Sequence, residues 1–556
     1  MEINRKSRTL TCFLGTVQDI VVLTLFVYMS YTNKSHGDDV SVMLFSRVNL
    51  LLTGYFLFRL LFQSGGLIAQ KLVLVAVEAA TCYESFLGIL QIIGVVKSNN
   101  YLFACTGTFD NPGPLGGFLA IGLCISLAEI FLIKRQSGSK QVSTQNRIIL
   151  VTSYLTVILC AIILPSTQSR AAWLSIIVSA FFYCFRKPQT LIWIKAHWLI
   201  VITCIIILLS SVFIFKRQSA NGRLFTYKME LFTIKRNGFC GVGMGHFSNA
   251  YGITQRDYFS RTISINGGEL RYIESDRERV CADNPKVGFN DYLQFGIEFG
   301  VGPLILMLSL LFMVLYRLSR LHSPFCYGWI SLMVFAFFSY PFSLWKFLVL
   351  FLVFAAIAGC KTDESGSSKD GILLFAFSCL IPLAVFHKSA GIVKMSNETE
   401  ELWKRQMPIF ESGDYRSYEY CCSQLYPDLQ FNCAFLYEYA YSLFENGNIE
   451  KSEKVLNQSL ALSGNSLSFI LLGDIHKKQG LIAEAEQDYL NAFLALPDRL
   501  YPLYKLVVLY NYSNQEEKYQ NMVRSIDGFH PRIESESTYE IRKLLNSLRY
   551  GYEKTL

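Results

Sequence analysis

The feature that most restricts what this chain can fold into is a succession of apolar runs, each of a length that crosses a bilayer. Lipid offers no partner to an exposed backbone group, so a spanning helix needs ~20 mostly apolar residues. About eleven runs meet that rule, at residues 11–30, 41–62, 72–96, 114–133, 148–164, 171–185, 198–215, 293–315, 326–342, 345–360 and 372–387. Composition agrees, because 52% of the 556 residues are hydrophobic and only 17% are charged, which is too apolar for an ordinary soluble chain. The expected fold is all-α, a polytopic membrane helix bundle with soluble parts attached. No small-residue cleavage site follows the first run, which reads as a retained helix rather than a signal peptide.

A formal net charge of +8 would point to nucleic acid in a soluble protein. In a membrane protein, Lys and Arg gather beside cytoplasmic helix ends for topological reasons, so nucleic-acid binding is excluded here. Arg5, Lys6 and Arg8 precede the first run; Lys134, Arg135, Lys140 and Arg147 separate the fourth from the fifth; Arg186 and Lys187 follow the sixth; Arg317 and Arg320 follow the eighth. These fall on one side if every run spans, which places the N-terminus in the cytoplasm and the C-terminus outside. The same count puts on the outer face the turn at 106–113, the turn Ser166–Ala172, a long loop of about 216–291 and everything after about 388.

Many of the 15 cysteines, such as Cys12, Cys124, Cys160, Cys204 and Cys379, lie inside apolar runs, where Cys acts as a small hydrophobe. Cys240, Cys281, Cys421, Cys422 and Cys433 fall in the outer parts. A Cys240–Cys281 bridge is open in an oxidising compartment.

After Lys388 the composition becomes that of a soluble helical unit. Leu472, Gly473, Gly480, Ala485, Tyr489, Ala492 and Pro497 have the spacing of one tetratricopeptide repeat, a unit of about 34 residues. Ala440, Leu443 and Gly447 begin a comparable unit upstream, and Leu506, Val507 and Tyr510 begin a degenerate one downstream. The expected division is a membrane domain over 1–390 and a tetratricopeptide-like α-solenoid over 391–556. Such arrays are usually binding platforms, so an envelope protein partner is one use, and a cap on the membrane domain is the other.

Several polar residues stand out against this background. Arg170 follows Thr167-Gln168-Ser169 at the mouth of an apolar run, and Arg223 lies just beyond another, followed by Lys228, Lys235 and Arg236. The arginine fork matches phosphate oxygens two at a time, although a snorkelling arginine occupies the same kind of place. Gly238–Phe247 is dense in glycine without the strand-turn-helix setting of a dinucleotide loop. His246 within it is a candidate general base or a plain loop histidine. Asp291 and Glu298 enter the eighth run, where an ionisable residue is costly and a functional candidate by default; Glu78 and Glu84 in the third run raise the same question.

Five segments taken in order resemble the O-antigen ligase and polymerase superfamily of membrane glycosyltransferases. They are Thr106-Gly-Thr-Phe109 with Asn111-Pro112, Ser169-Arg-Ala-Ala-Trp173, Gly222-Arg-Leu224, Gly241-Val-Gly-Met-Gly-His-Phe247, and Asn290-Asp-Tyr-Leu-Gln294 with Glu298-Phe-Gly300. The resemblance covers roughly residues 1–390 and implies a GT-C-like membrane bundle in a bacterial inner membrane, with a large periplasmic loop. It implies an undecaprenyl-diphosphate-linked glycan as donor, with Arg170 and Arg223 on the diphosphate and Asn290, Asn111 and Gln168 as further substrate-binding candidates. Neither metal nor another cofactor is required by that scheme. Family ligases carry a histidine where this chain has Phe289, so Asp291, Glu298 and His246 are the candidates for the missing catalytic task. The resemblance implies transfer of the glycan to an acceptor hydroxyl on lipid A core or on protein. It leaves open a polymerase that joins lipid-linked repeat units, and a catalytically dead anchor carrying a repeat scaffold.

Overall fold

A computed structural model describes residues 2–35, 40–137, 143–187, 217–238, 240–272, 278–360 and 369–553, with the isolated positions 192, 196 and 197. The expected run at 198–215 lies outside the described residues. Numbered over those residues, the first five helices are α1 (Glu2–Ser35), α2 (Val40–Ile92), α3 (Pro112–Ser137), α4 (Thr144–Thr167) and α5 (Arg170–Phe185). Next come α6 (Arg217–Asn237), α7 (Phe247–Thr262), the antiparallel hairpin β1 (Ile263–Asn266) and β2 (Glu269–Tyr272), and α8 (Asp291–Phe299). The chain continues through α9 (Val301–Arg320), α10 (Phe325–Phe338), α11 (Trp345–Gly359) and the long α12 (Lys369–Glu411).

The architecture is the expected all-α polytopic membrane bundle. Ser46–Ile92, Pro112–Gln136, Thr144–Thr167 and Val301–Arg320 are long and apolar enough to span, and Thr16–Thr32, Arg170–Phe185, Phe325–Phe338 and Trp345–Gly359 are shorter apolar helices. Two expected spans are differently built. The runs 41–62 and 72–96 form the single element α2, broken at Gly66, whose φ of 51° is open to glycine without a Cβ penalty. The run at 293–315 starts as the separate helix α8, and Gly300, with φ 88°, turns the chain before α9 begins. Asp291 and Glu298 therefore precede the spanning helix rather than lying in it.

The bundle core is Leu115, Leu119, Ile121 and Ile125 of α3 against Trp329, Leu332 and Phe335 of α10 and Phe354 of α11. A methyl group at Gly117 would overlap the Phe335 ring, so the missing side chain is what lets α3 and α10 approach. The expected loop at 216–291 is a folded unit instead. Phe225, Met229, Phe247, Tyr251, Phe259 and Ile297 form one buried core, and this core continues into Phe469, Tyr489, Phe493, Leu503 and Tyr510 of the C-terminal helices.

Those helices are α13 (Tyr415–Leu429), α14 (Cys433–Glu445), α15 (Ile449–Leu462), α16 (Ser466–Lys478), α17 (Ile482–Ala495), α18 (Tyr501–Tyr512), α19 (Glu516–Asp527) and α20 (Glu536–Glu553). Consecutive helices pack in pairs, and a methyl at Gly473 of α16 would collide with the Tyr489 ring of α17. The expected boundary at 390 falls inside the unbroken helix α12. Tyr418, Phe435, Tyr439, Leu456 and Ile475 make a second, separate core.

Docking between the two units is polar as well as apolar. Arg279 pairs with Asp498 (3.0 Å) and donates to the His530 carbonyl (2.8 Å), and Gln255 donates to the Ala495 carbonyl (2.7 Å). Cys240 and Cys281 are not joined by a disulfide.

Candidate active site

The polar turn at 106–113 is built by side chains reaching out of α2 and α11. The main-chain N–H groups of Thr106 and Gly107 both donate to Gln91 Oε1 (2.9 and 2.7 Å), and Gln91 Nε2 donates back to the Gly107 carbonyl (2.9 Å). Thr108 N–H donates to Glu84 Oε2 (2.9 Å), and its hydroxyl donates to Glu84 Oε1. Lys346 completes the brace with a 3.0 Å ion pair to Glu84, a contact to Thr108 Oγ1, and its ammonium 4.1 Å from the Phe109 ring centroid. A carboxylate among apolar helices is tolerable only when paired and hydrogen-bonded. Glu84 meets that condition by gripping the turn, which answers its functional question with a structural role. Glu78 does the same between helices, accepting from Ser126 (3.0 Å), Ser153 (2.5 Å) and Thr152.

The second segment abuts the first. Ser169 Oγ donates to the Gly113 carbonyl (3.2 Å), and a Cβ on Gly116 would strike the Ser169 side chain. Arg170 thus opens α5 beside the turn, half-buried, and close enough to Arg223 for their positive charges to oppose each other. Gln168 is exposed, in left-handed backbone with φ 48° closing α4. Asn111 Oδ1 accepts from Gly113 N–H (2.8 Å). Both residues shape turns at this edge of the site.

Arg223, Tyr227 and Glu230 share one face of α6, being four and then three residues apart. Arg223 Nη1 donates to the Phe338 carbonyl at the end of α10 (2.9 Å), and its guanidinium lies over the Phe289 ring (5.4 Å to the centroid). Phe289 in turn meets Tyr340 edge-on (6.0 Å, 72°). Burial weakens the guanidinium's hold on its proton, with Tyr227 and Tyr340 opposing that loss. Arginine remains charged even so, and a partly dehydrated cation next to open space is poised for an anion. Tyr227 spans the gap between elements, its one hydroxyl proton shared between the carbonyls of Phe289 (3.3 Å) and Phe337 (3.4 Å).

Glu230 is the unexpected member of this face. It is completely buried, and neither carboxyl oxygen has a hydrogen-bond partner among the described residues. The Phe289 main-chain N–H points toward it and favours its charged form, but burial outweighs that and pushes the carboxyl up to about 8.

The glycine-rich segment packs on α8 through the backbone. Val242 N–H donates to the Ile297 carbonyl (3.0 Å), and Gly243 N–H donates to the Glu298 carbonyl (2.9 Å). Gly241 has φ 70°, and any Cβ there would overlap the Glu298 carbonyl, so only glycine allows this approach. His246 precedes α7, half-buried, with Nδ1 3.2 Å from the Met244 carbonyl oxygen. Asn290 caps α8, its Oδ1 accepting from the N–H groups of Tyr292 (3.0 Å) and Leu293 (3.2 Å). Asp291 is buried and accepts from Phe342 N–H (2.8 Å); burial and the nearby Glu298 and Glu230 carboxyls hold its proton on well above the ordinary range. Glu298 accepts from Gln294 Nε2 (3.2 Å), and burial raises it to about 7.

Five segments spread from residue 106 to residue 300 thus come together. Arg170 and Arg223 lie near enough for their charges to interact, and Asp291 has the Glu298 and Glu230 carboxyls near it. Lys346, Gln91 and Glu230 were missed in the sequence. A lone Lys beside an apolar run and an acid two helical turns from Arg223 were the signals that mark two of them. No group of three metal-ligating side chains occurs among the described residues. A paired-cation site with aromatic walls is suited to hold an anion and to stabilise charge that develops on it.

Residues 155–266 match the family model described as O-antigen ligase, a stretch that takes in Arg170, Arg223 and the glycine-rich segment. No curated protein matches the chain.

Proposed function

From the O-antigen ligase domain that this chain carries, we propose a ligase-like glycosyltransferase that moves a glycan from undecaprenyl diphosphate to an acceptor hydroxyl, on lipid A core or protein. The acceptor oxygen attacks the anomeric carbon and gives up its proton, the bond from that carbon to the phosphate oxygen breaks, and the lipid diphosphate leaves with the bonding pair and can take up that proton. The observation that carries this reading is the convergence of Arg170 and Arg223, near enough to interact, at a point walled by Phe289 and Tyr340. Two guanidinium groups there hold the diphosphate and offset the charge it gains as it departs. Asp291 and Glu298 are buried within the packing of α8, so they shape the site, while His246 is the titratable candidate least enclosed.

The site works at the periplasmic face of the inner membrane, with the N-terminus in the cytoplasm. The paired C-terminal helices are tetratricopeptide-like repeats on that same side. Gly473 against Tyr489 is the small-against-large contact such a unit needs.

The test is transfer from a purified undecaprenyl-diphosphate glycan to a panel of acceptors by wild type and Arg223→Ala. The variant is expected to lose roughly 100-fold or more in rate, the scale for removing one donor from a developing oxyanion. Unchanged transfer overturns the reading. Lengthened lipid-linked glycan in place of a ligated product makes the enzyme a polymerase.

A further inference from the structure

Beside Arg223 lies a cavity of about 400 Å³, and half of its wall belongs to the loops that join the C-terminal helices. Arg223, Asp283, Phe289, Arg499, Arg532 and Ser535 are among the residues that line it. The volume is in the ~300–1,000 Å³ range of small-molecule sites.

The charges in it do not cancel. Asp498, which also lines the cavity, is spent: it pairs with Arg279 (3.0 Å) and accepts from Arg532 N–H through both oxygens (3.0 and 3.1 Å). That arrangement fixes the segment at 531–538 against the 279–289 loop, which Arg532 also reaches through a bond to the Val280 carbonyl (3.4 Å). The lining still holds three arginines, Arg223, Arg499 and Arg532, against two carboxylates, Asp283 and Asp498, an excess of positive charge. Leu500, Ile533 and the Phe289 ring supply apolar surface, and Thr226, Ser535 and Thr538 supply hydroxyls. Flat apolar patches set among hydroxyl groups suit the C–H faces and hydroxyls of a sugar ring, and the excess positive charge suits a carboxylate or phosphate on it.

We propose that this cavity is a subsite for an anionic saccharide, so that the loops joining the C-terminal helices form part of the active site and select the sugar that lies next to the reacting bond. The inference rests on the transferase reading for the identity of its ligand as a glycan. That sugar belongs either to the transferred glycan or to the acceptor.

The experiment uses the full chain in detergent. Binding of an oligoglucuronate and of a neutral oligoglucose of the same length is measured for wild type, Arg499→Ala/Arg532→Ala and Ser535→Trp. The three substituted positions are exposed, so the variants are expected to fold, with unchanged melting temperature as the check. Wild type is expected to prefer the oligoglucuronate, with at least a ~10-fold loss in the double variant, the scale of one lost charge-assisted hydrogen bond. Ser535→Trp, which fills the mouth, is expected to weaken both ligands. Equal affinity for the two oligosaccharides, or a double variant that binds like wild type, overturns the proposal.

Transfer kinetics distinguish the sources. A raised KM for the lipid-linked donor assigns the sugar to the transferred glycan, and a raised KM for the acceptor assigns it to the other substrate. If neither KM moves in a working enzyme, the subsite is refuted. A wild type that turns over no donor while still binding oligoglucuronate through Arg499 and Arg532 refutes the transferase reading and leaves the saccharide site standing.

Discussion

Buried carboxyl groups are handled in opposite ways in the membrane helices and in the unit at 217–300. Within the membrane helices, Asp19 meets Arg59 (2.8 Å) and accepts from Tyr55 (2.6 Å), Glu84 meets Lys346, and Glu78 accepts from three hydroxyls. In the unit at 217–300, neither Glu230 oxygen has a hydrogen-bond partner among the described residues, and Asp291 and Glu298 have few. A medium without water forces an ion to carry its partners with it. Where those partners are absent, the group keeps its proton instead, and the protein retains a titratable acid beside its site. Among these acids, pairing goes with the membrane helices and its absence with the unit that carries Arg223.

Lys346→Met attacks the paired half and carries the largest expected effect. It leaves Glu84 buried without its cation, a loss of ~3–5 kcal/mol, and releases the turn at 106–113, so transfer falls with stability. Melting of Lys346→Met and of Lys346→Met with Glu84→Gln measures the pair. Recovery of most of the loss in the double variant is expected, and an equal loss in both shows that the pairing rule does not hold here.

Glu230→Gln attacks the unpaired half. The folded carboxyl holds its proton up to about pH 8, whereas an unfolded one releases it near ~4.3. The folded state therefore binds more protons through that window, and its stability falls as pH rises from about 4 to about 8, by at most ~1.4 kcal/mol per unit. Glutamine removes this contribution. The stability difference between variant and wild type is expected to grow in favour of the variant by ~3–4 kcal/mol from pH 5 to pH 8, measured by denaturant unfolding. A difference independent of pH means that Glu230 is ionised in the fold. Gly241→Ala is next, at ~2 kcal/mol from positive φ and the collision with the Glu298 carbonyl. It is expected to lower melting temperature and transfer together.

How far the sequence foretold these two halves differs as well. The membrane bundle was legible, because twenty apolar residues admit few structures. What the runs could not show was where they break: Gly66 and Gly300 interrupt them by backbone conformation, which hydropathy does not record. Arg170 and Arg223 were legible as residues through their motifs, but their meeting depends on Ser169 bonding to Gly113 and on Arg223 reaching Phe338, contacts between distant segments. The unit at 217–300 read as a loop because half of its core is supplied by Phe469, Tyr489 and Phe493, more than 160 residues away. The same distance hid Arg499 and Arg532 from the site.

Tyr227→Phe makes the smallest and most local change to the comparison. The Tyr227 hydroxyl ties α6 both to Phe289, which turns over Glu230, and to Phe337, at the end of a membrane helix. Its bonds are long, and the side chain is half-buried, so water replaces part of what is lost; the expected cost is ~0.5–1 kcal/mol. The packing of the ring is retained, which leaves the Phe289 turn as the feature that changes. If the unpaired half serves the chemistry through that turn, transfer drops several-fold although melting hardly moves, and Arg223, stacked on the Phe289 ring, grips the donor less well. A KM for the lipid-linked donor that rises while kcat is little altered is the expected signature. A fall in stability with no change in KM would assign Tyr227 to the scaffold, and with it the boundary between the two halves would move to Phe289 itself.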